Sequence, residues 1–177
     1  MPELSVVIVA IDNEQRTVLQ VLVDGTSVAS TVHTCASFPM AASDPIMRRV
    51  QAANPDVLLV DIPADNHAIA MRAIELLRQE LPDSAVFAIG SLNQPQIIVN
   101  AMRAGAREFI ERPTTTTDLL EAFVRLTAAQ RRVQKEGPRG KVFTVVNAKG
   151  GSGATTVAVN LALALQSAHG QTALVDL

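Results

Sequence analysis

The chain has 177 residues, of which 48% are apolar and 18% charged, and its formal net charge is −2. This is an ordinary globular balance, and so small a charge gives no general attraction to nucleic acid or anionic lipid. Aromatic residues make up 3% of the chain, with no Trp or Tyr. Because single-stranded nucleic acid is bound largely by stacking bases on aromatic rings, no direct contact with nucleic acid is expected.

The N-terminus and the cysteine content indicate a cytoplasmic protein. Met1 is followed by Pro2, Glu3 and a short apolar run, without the basic start and cleavage site of a secretory signal. No run reaches the roughly 18 apolar residues of a membrane span, so no transmembrane segment is expected. Cys35 is the single cysteine, which excludes an internal disulfide and is typical of a reducing compartment.

From residue 5 to about residue 125, short β-branched runs alternate with helical patterns. This alternation predicts βαβ units around a parallel sheet with helices on both faces. The fold class expected is therefore α/β, a five-stranded doubly wound sheet. The five strands are predicted at residues 5–10, 28–33, 56–61, 85–90 and 107–110.

The helices between these strands carry apolar residues at intervals of three and four, which predicts one buried stripe on each. The fourth helix is expected to begin at Pro95 and to end before Gly105, because proline favours the first helical position and glycine the position after the last. Asp44 and Pro45 predict the start of another helix in the same way. The stripes are predicted at Ile74, Leu77 and Leu81, at Ile98, Ala101 and Met102, and at Leu120, Phe123 and Val124.

The last of these helices, beginning near Thr117, turns polar and basic after Leu126 and runs into the linker sequence of residues 137–140. We therefore divide the chain into a first domain at 1–125, a helix end and linker at 126–140, and a second segment at 141–177. The second segment predicts one βαβ unit, with strands at 142–146 and 172–176, a glycine-rich loop at 148–154 and a helix from 155 to about 168.

The helix of the second segment is apolar nearly all round, so it needs a sheet and neighbouring elements to cover it. One βαβ unit does not supply them. We therefore expect residues 141–177 to be the opening fragment of a longer domain, and to be marginally stable alone.

Asp61 ends the third predicted strand, and the run from Ala104 to Pro113 surrounds the fifth. In this arrangement residues 5–125 resemble the receiver domain of two-component response regulators, whose phospho-accepting aspartate ends the third strand. The resemblance implies a phosphorylation site, which requires a divalent metal to neutralise the transferring phosphoryl group. Arg112 stands where a working receiver has the lysine of a Lys-Pro pair.

The positions that would hold the metal are Ala10 and Ile11, and neither side chain can bind one. Asp12 lies one position late, and the hydroxyl position at the end of the fourth strand is Gly90, with Ser91 adjacent. We therefore expect a vestigial, phosphorylation-incompetent site formed by Asp61, Asp12, Ser91 and Arg112. Asp61 is expected to pair with Arg112, in a domain kept for docking or dimerisation.

The run from Lys149 to Thr156, between a predicted strand and a predicted helix, is the most specific motif in the chain. Glycines let backbone N–H groups surround a polyphosphate, and the helix N-terminus adds partial positive charge. The ordinary pattern G-x-x-x-x-G-K-[ST] fails, because Ala148 replaces its first glycine and Ala154 its lysine. The deviant pattern K-G-G-x-G-K-[ST]-T fits at every position except Ala154.

That deviant pattern is similar to the phosphate loop of ParA/MinD-type P-loop ATPases. The resemblance implies that Lys149 reaches the phosphates bound by a partner subunit, that Thr155 coordinates Mg²⁺, and that Thr156 bonds a phosphate. Gly150, Gly151 and Gly153 would supply backbone donors, with Ser152 and Ala154 completing the loop. The cofactors implied are ATP and Mg²⁺, expected for the complete domain and doubtful in this fragment.

A receiver-like domain fused to a K-G-G-x-G-A-[ST]-T loop resembles the CpaE/TadZ family of Flp pilus assembly proteins. This implies a homodimeric localisation factor with weak or no ATP hydrolysis. The implied partners are the pilus secretion ATPase and its inner-membrane machinery, and the implied location is the cell pole or the inner face of the cytoplasmic membrane. No catalytic residue is assigned, and the fragment is not expected to be enzymatically active.

Two alternatives stay open from the sequence. One is a phospho-regulated response regulator, against which the identities of Ala10 and Ile11 argue. The other is an active ParA/MinD-type positioning ATPase, against which Ala154 argues.

Overall fold

The computed structural model describes residues 3–135, 141–147, 149–170 and 172–175, with backbone alone for residues 131–135 and 169. The chain divides into two compact units, Met1–Lys135 and Glu136–Leu177. The boundary falls inside the segment 126–140 that the sequence marks as helix end and linker. Each unit is described by itself.

The first unit alternates strands and helices throughout, as the sequence predicts. Its strands are β1 (Leu4–Val9), β2 (Ala29–Cys35), β3 (Val57–Asp61), β4 (Ala85–Gly90) and β5 (Glu108–Glu111). Its helices are α1 (Asn13–Asp24), α2 (Pro45–Ala53), α3 (His67–Glu80), α4 (Pro95–Ala104) and α5 (Thr116–Lys135).

The five strands form one parallel sheet in the order β2-β1-β3-β4-β5. Every residue of β3 and β4 is buried, which is why these strands read as continuous apolar runs. The pairing of β1 with β2 shifts between Val6 and Val7, so that Val32 has no partner in the register. This is the doubly wound order in which β1 and β3 flank the switch point of the sheet.

One apolar layer lies on each face of the sheet. The layer under α1 and α5 contains Phe87 and Phe123, whose rings stack with centroids 6.1 Å apart. The opposite layer lies under α2, α3 and α4 and contains Ile74 and Leu77. The predicted stripe of α3 is therefore confirmed.

The buried stripes predicted for α4 and α5 are wrong, because a different side of each helix faces the sheet. Ile97, Ala101 and Ala104 are the buried residues of α4, while Met102 is exposed. In α5 the buried residues are Leu119, Ala122, Phe123 and Leu126, while Val124 is exposed. Both helices have apolar residues on more than one side, so the spacing alone fits two phases and the sheet selects one.

The helix ends follow the sequence signals closely. Gly105 ends α4 with φ 110°, a left-handed conformation in which glycine carries no steric penalty. Asp44 precedes α2, and its carboxylate accepts a hydrogen bond from the N–H of Ile46 at 2.9 Å. The predicted start of α2 and the predicted start and end of α4 are thus confirmed.

In the second unit the predicted helix forms, as α6 (Ala154–His169), but the predicted strands do not. The described residues 141–147 and 172–175 have no regular structure. A helix satisfies its backbone within itself, whereas a strand requires a neighbouring strand, and two isolated strands are marginal in water. Within residues 141–147 and 172–175 the strands of the predicted βαβ unit are therefore absent, and Val142, Val146 and Leu163 are exposed.

Candidate functional site

Asp61, the last residue of β3, lies at the carboxyl edge of the sheet beside the switch point between β1 and β3. In open α/β sheets the crevice at this point is the usual ligand site. A pocket of about 390 Å³ opens here, lined by Asp12, Asp61 and Arg112 among others. The structure therefore brings three of the four predicted vestigial residues together.

Arg112 lines this pocket beside Asp61. Its guanidinium forms an ion pair with the Asp61 carboxylate and donates a second hydrogen bond, at 3.3 Å, to the carbonyl of Ile62. The predicted pair is present. Asp61 is only 4% exposed, so the guanidinium supplies the positive charge that a buried carboxylate requires.

Burial raises the pKa of Asp61 above its ordinary value, and the opposing influence of Arg112 is smaller. Burial prevails because removal from water disfavours the charged form of the carboxyl group. Asp61 is therefore a desolvated carboxylate already held by one cation, which is a poor starting point for accepting a phosphoryl group.

The residues at the end of β1 do not fit a divalent metal. Ala10 is buried and apolar, and the side chain of Ile11 carries no ligand atom. The carboxylate of Asp12 caps α1 by accepting a hydrogen bond from the N–H of Gln15 at 2.7 Å. Among the described residues, no group of three or more His, Cys, Asp or Glu is placed to hold a metal ion.

Arg16 is a site residue that the sequence reasoning missed. Its guanidinium donates to the carbonyls of Ala10, at 2.7 Å, and Ile11, at 3.3 Å, and also to the side chain of Asn13. These hydrogen bonds fix the backbone of the loop between β1 and α1. The signal available was only an arginine in the first turn of a helix, a common surface pattern.

The fourth predicted residue, Ser91, stands apart from the pocket. Its hydroxyl accepts a hydrogen bond from the N–H of Asn93 at 3.3 Å within the turn after β4. At Gly90, an added Cβ would lie 2.9 Å from Cζ of Phe109. The aromatic ring thus occupies the space that a hydroxyl-bearing side chain would need.

The cations of the first unit are almost all arginines. The three lysines of the chain are Lys135, Lys141 and Lys149, so residues 1–134 contain none. A receiver reads its phosphorylated aspartate with a compact ammonium, whereas the planar guanidinium of Arg112 favours a stable carboxylate pair.

In the second unit, the loop from Lys149 to Gly153 precedes α6. Gly151 and Gly153 have φ values of 78° and 82°, a backbone conformation that residues other than glycine rarely adopt. An added Cβ at Gly150, Gly151 or Gly153 would meet nothing within 4 Å. The loop is therefore open on its outer side.

Helix α6 begins after Gly153 with no side-chain cap, so its first N–H groups have no side-chain acceptor. These N–H groups, together with those of the open glycine loop, are the donors that a phosphate chain requires. The loop and the start of α6 therefore fit the phosphate-binding part of a nucleotide site. The hydroxyl of Ser152 is held instead by the side chain of Asn147 at 3.3 Å. Residues Lys149, Thr155 and Thr156 are exposed beside the loop.

No protein-family model and no curated protein sequence matches the chain. Similar solved structures include a protein described as a candidate pilus assembly protein (cpaE) from Burkholderia thailandensis. It is 21% identical, with a TM-score of 0.60, over 71% of this chain and 98% of that one. A candidate pilus assembly-related protein from Burkholderia pseudomallei is 21% identical, with a TM-score of 0.58, over 71% and 90%.

The signal receiver domain of a response regulator, NarL, from Mycobacterium tuberculosis is also similar. It is 19% identical, with a TM-score of 0.59, over 72% of this chain and 98% of that one. In the part of the chain that the structure describes, no helix is long and apolar enough to cross a membrane. At this identity the likenesses establish the fold, and the first unit has the five-stranded parallel architecture of receiver domains.

Proposed function

We propose that the chain belongs to a pilus assembly and localisation factor of the CpaE/TadZ type. Its receiver-like unit is an interaction module that does not accept phosphate, and its second unit is the start of a nucleotide-binding domain with weak or no hydrolysis. The ion pair between Asp61 and Arg112 carries the first part of the proposal, because it engages the carboxylate with which a phosphoryl group entering this pocket would have to react.

The same fold also supports the alternative of a phospho-regulated response regulator. Asp61 does lie at the end of β3, and receiver domains of response regulators are among the similar structures. Incubation with acetyl phosphate and Mg²⁺, followed by intact-mass measurement, separates the two functions. We expect no added phosphoryl group; an adduct that is absent from the Asp61→Ala variant would favour the response regulator.

The nucleotide-binding part of the proposal rests on the open glycine loop and the uncapped start of α6. The residues that would hold the phosphates of ATP are the backbone N–H groups of 150–154 and the ammonium of Lys149, with the hydroxyl of Thr155 toward Mg²⁺ and Thr156 toward a phosphate. Bound nucleotide would supply the negative charge that orders this loop. Ala154 offers no second ammonium, which is why vigorous hydrolysis, as in an active positioning ATPase, is not proposed.

Lysine-directed labelling tests this part directly. Because residues 1–134 contain no lysine, periodate-oxidised ATP can react with side-chain amines only at Lys135, Lys141 and Lys149. In the complete protein, within residues 1–177, we expect labelling at Lys149 that excess ATP suppresses and that Lys149→Ala removes, with Lys141→Ala as the matched control. Equal, unsuppressed labelling of all three lysines would contradict a nucleotide site in this chain.

The cellular part of the proposal is a cytoplasmic location at the cell pole and a homodimer that docks on the pilus secretion ATPase. The two similar structures described as pilus assembly proteins support only its link to pili. Fluorescent fusions of the protein in a piliated host would test it. Diffuse fluorescence together with normal pili in a deletion strain would exclude the localisation role.

A further inference from the structure

We propose that Asn147 is a positioning residue of the nucleotide loop: its side-chain carbonyl holds the hydroxyl of Ser152 and so closes the loop before a phosphate chain binds. This inference rests on the proposed nucleotide-binding function of the second unit. It adds to that site a residue outside the run from Lys149 to Thr156.

Two hydrogen bonds join Ser152 to the chain that precedes the glycines. Its hydroxyl donates to Oδ1 of Asn147 at 3.3 Å, and its N–H donates to the carbonyl of Lys149 at 3.2 Å. The bond to Asn147 spans five positions of the chain, so it joins the two ends of the loop. The bond to Lys149 closes a tighter turn inside it.

Packing contributes little to the shape of this loop. Gly151 and Gly153 have positive φ values, and glycine has more backbone freedom to lose on ordering than any other residue. A Cβ added at Gly150, Gly151 or Gly153 would meet no atom of the described residues within 4 Å. The hydrogen bonds of Ser152 are therefore the main restraint on the loop.

A restraint of this kind affects how tightly nucleotide binds. A loop that is ordered in advance loses less conformational entropy when its N–H groups surround a phosphate chain. One neutral hydrogen bond of ordinary strength corresponds to a change of roughly three- to tenfold in a dissociation constant. Asn147 is expected to act on affinity by this amount, without touching the nucleotide.

The charges of the surrounding sequence indicate that the ligand of the loop is an anion. Residues 137–175 contain Arg139, Lys141 and Lys149 but neither Asp nor Glu. Asn147 therefore supplies an acceptor to Ser152 without placing a negative charge beside the loop. An aspartate at the same position would accept the same hydrogen bond but repel a phosphate, and this difference separates a role in nucleotide binding from a role in folding.

Binding of ATP with Mg²⁺ to the full-length protein, measured by displacement of a fluorescent ATP analogue, tests the inference. We expect Asn147→Ala and Ser152→Ala each to raise the Kd about three- to tenfold. The double variant should be no weaker than the single ones, because all three lack the same bond. Ser152→Thr keeps the hydroxyl and should bind within about twofold of wild type. Gln166→Ala, which removes an exposed amide near the other end of α6, is the matched control and should leave the Kd unchanged.

Asn147→Asp gives a readout that a purely structural role would not produce. At low salt it should raise the Kd more than Asn147→Ala does, because its carboxylate repels the phosphates. The difference between the two variants should shrink as added salt screens the charge. Equal binding by both variants at every salt concentration would place Asn147 away from the phosphates and overturn the inference.

Failure of this inference and failure of the proposed function give different results. A wild-type protein that binds no nucleotide overturns both. Nucleotide binding that is as tight in Asn147→Ala and Ser152→Ala as in wild type overturns the role of Asn147 alone. Losses that add in the double variant also overturn it, because they would show that the two side chains act separately.

Discussion

Arg112, directly after β5, pairs with Asp61 at the end of β3 and also bonds the carbonyl of Ile62, so one guanidinium joins two strands that are not neighbours in the sheet. The two partners differ in burial: the Arg112 side chain is 27% exposed and that of Asp61 only 6%. Removing one partner should therefore not be equivalent to removing the other.

We predict that Arg112→Ala destabilises the first unit by about 3 kcal/mol at neutral pH, because it leaves a buried carboxylate without a counter-charge. Asp61→Ala should cost only about 1 kcal/mol, since the freed guanidinium can turn toward water. Urea denaturation followed by circular dichroism measures both. Equal losses in the two variants would contradict the difference in burial.

The Arg112→Ala loss should also depend on pH. Without the arginine, nothing opposes the effect of burial, so the pKa of Asp61 in the folded state lies still further above its unfolded value. A raised pKa means that stability is retained at low pH and lost as pH rises through the folded value. The deficit of Arg112→Ala relative to wild type should therefore be smaller near pH 4 than near pH 8; a larger deficit in acid would reverse this assignment.

Gly90 gives a second prediction, because an added Cβ would stand 2.9 Å from Cζ of Phe109. We expect Gly90→Ala to displace the ring of Phe109, at a cost of about 1–3 kcal/mol. Fluorinated phenylalanine would report the changed environment of Phe109 by NMR. Gly90→Ala combined with Phe109→Leu should recover part of the loss, whereas an unchanged Phe109 signal in the single variant would show that the ring has no such role.

Cys35 gives a third prediction as a natural reporter of folding. It is buried at the end of β2, and burial raises the pKa of its thiol to about 11. We expect no reaction with Ellman's reagent at pH 8 in the native protein and rapid reaction in urea, because only the thiolate is nucleophilic. The same raised pKa makes this thiol's contribution to stability constant below about pH 9 and lost as pH rises through about 11. Fast native labelling would place Cys35 at the surface.

The second unit gives a fourth prediction. Residues 141–147 and 172–175 form no strands, and α6 exposes Val157, Val159 and Leu163. Deleting residues 141–177 should therefore leave the unfolding free energy of the first unit unchanged within about 0.5 kcal/mol. Hydrogen exchange should show little protection in the described residues of this unit. Strong protection at 142–146 would indicate a sheet there after all.

The fold of the first unit could be predicted from the sequence, because short apolar strand runs alternate with segments whose apolar residues recur every three or four positions. Strands such as β3 and β4 are apolar throughout and bounded by turn residues, so their existence and parallel pairing follow from composition. Helix phase could not be predicted in the same way. In α5, both Phe123 and Val124 satisfy the spacing of a stripe, and only the position of the helix on the sheet decides which is buried.

At the site, the expectation that no metal is held comes from the identities of Ala10 and Ile11, whose side chains carry no ligand atom, and it stays a prediction. The pairing of Asp61 with Arg112 was also foreseeable, because the carboxyl ends of parallel strands meet at one edge. The contribution of Arg16 was not, since its partners are backbone carbonyls, and carbonyls carry no signal in a sequence. The contact of the Phe109 ring with Gly90 could not be predicted either, because it depends on which rotamer the Phe109 side chain adopts.

The irregular pairing of β1 with β2 restricts how this protein can polymerise. Because Val32 is left out of the register, β2 presents an interrupted edge, against which an incoming strand cannot continue the ladder. The other edge, β5, is four residues long and has Glu108 and Glu111 at its ends. Growth of a larger assembly by addition of strands is thus discouraged at both edges of the sheet.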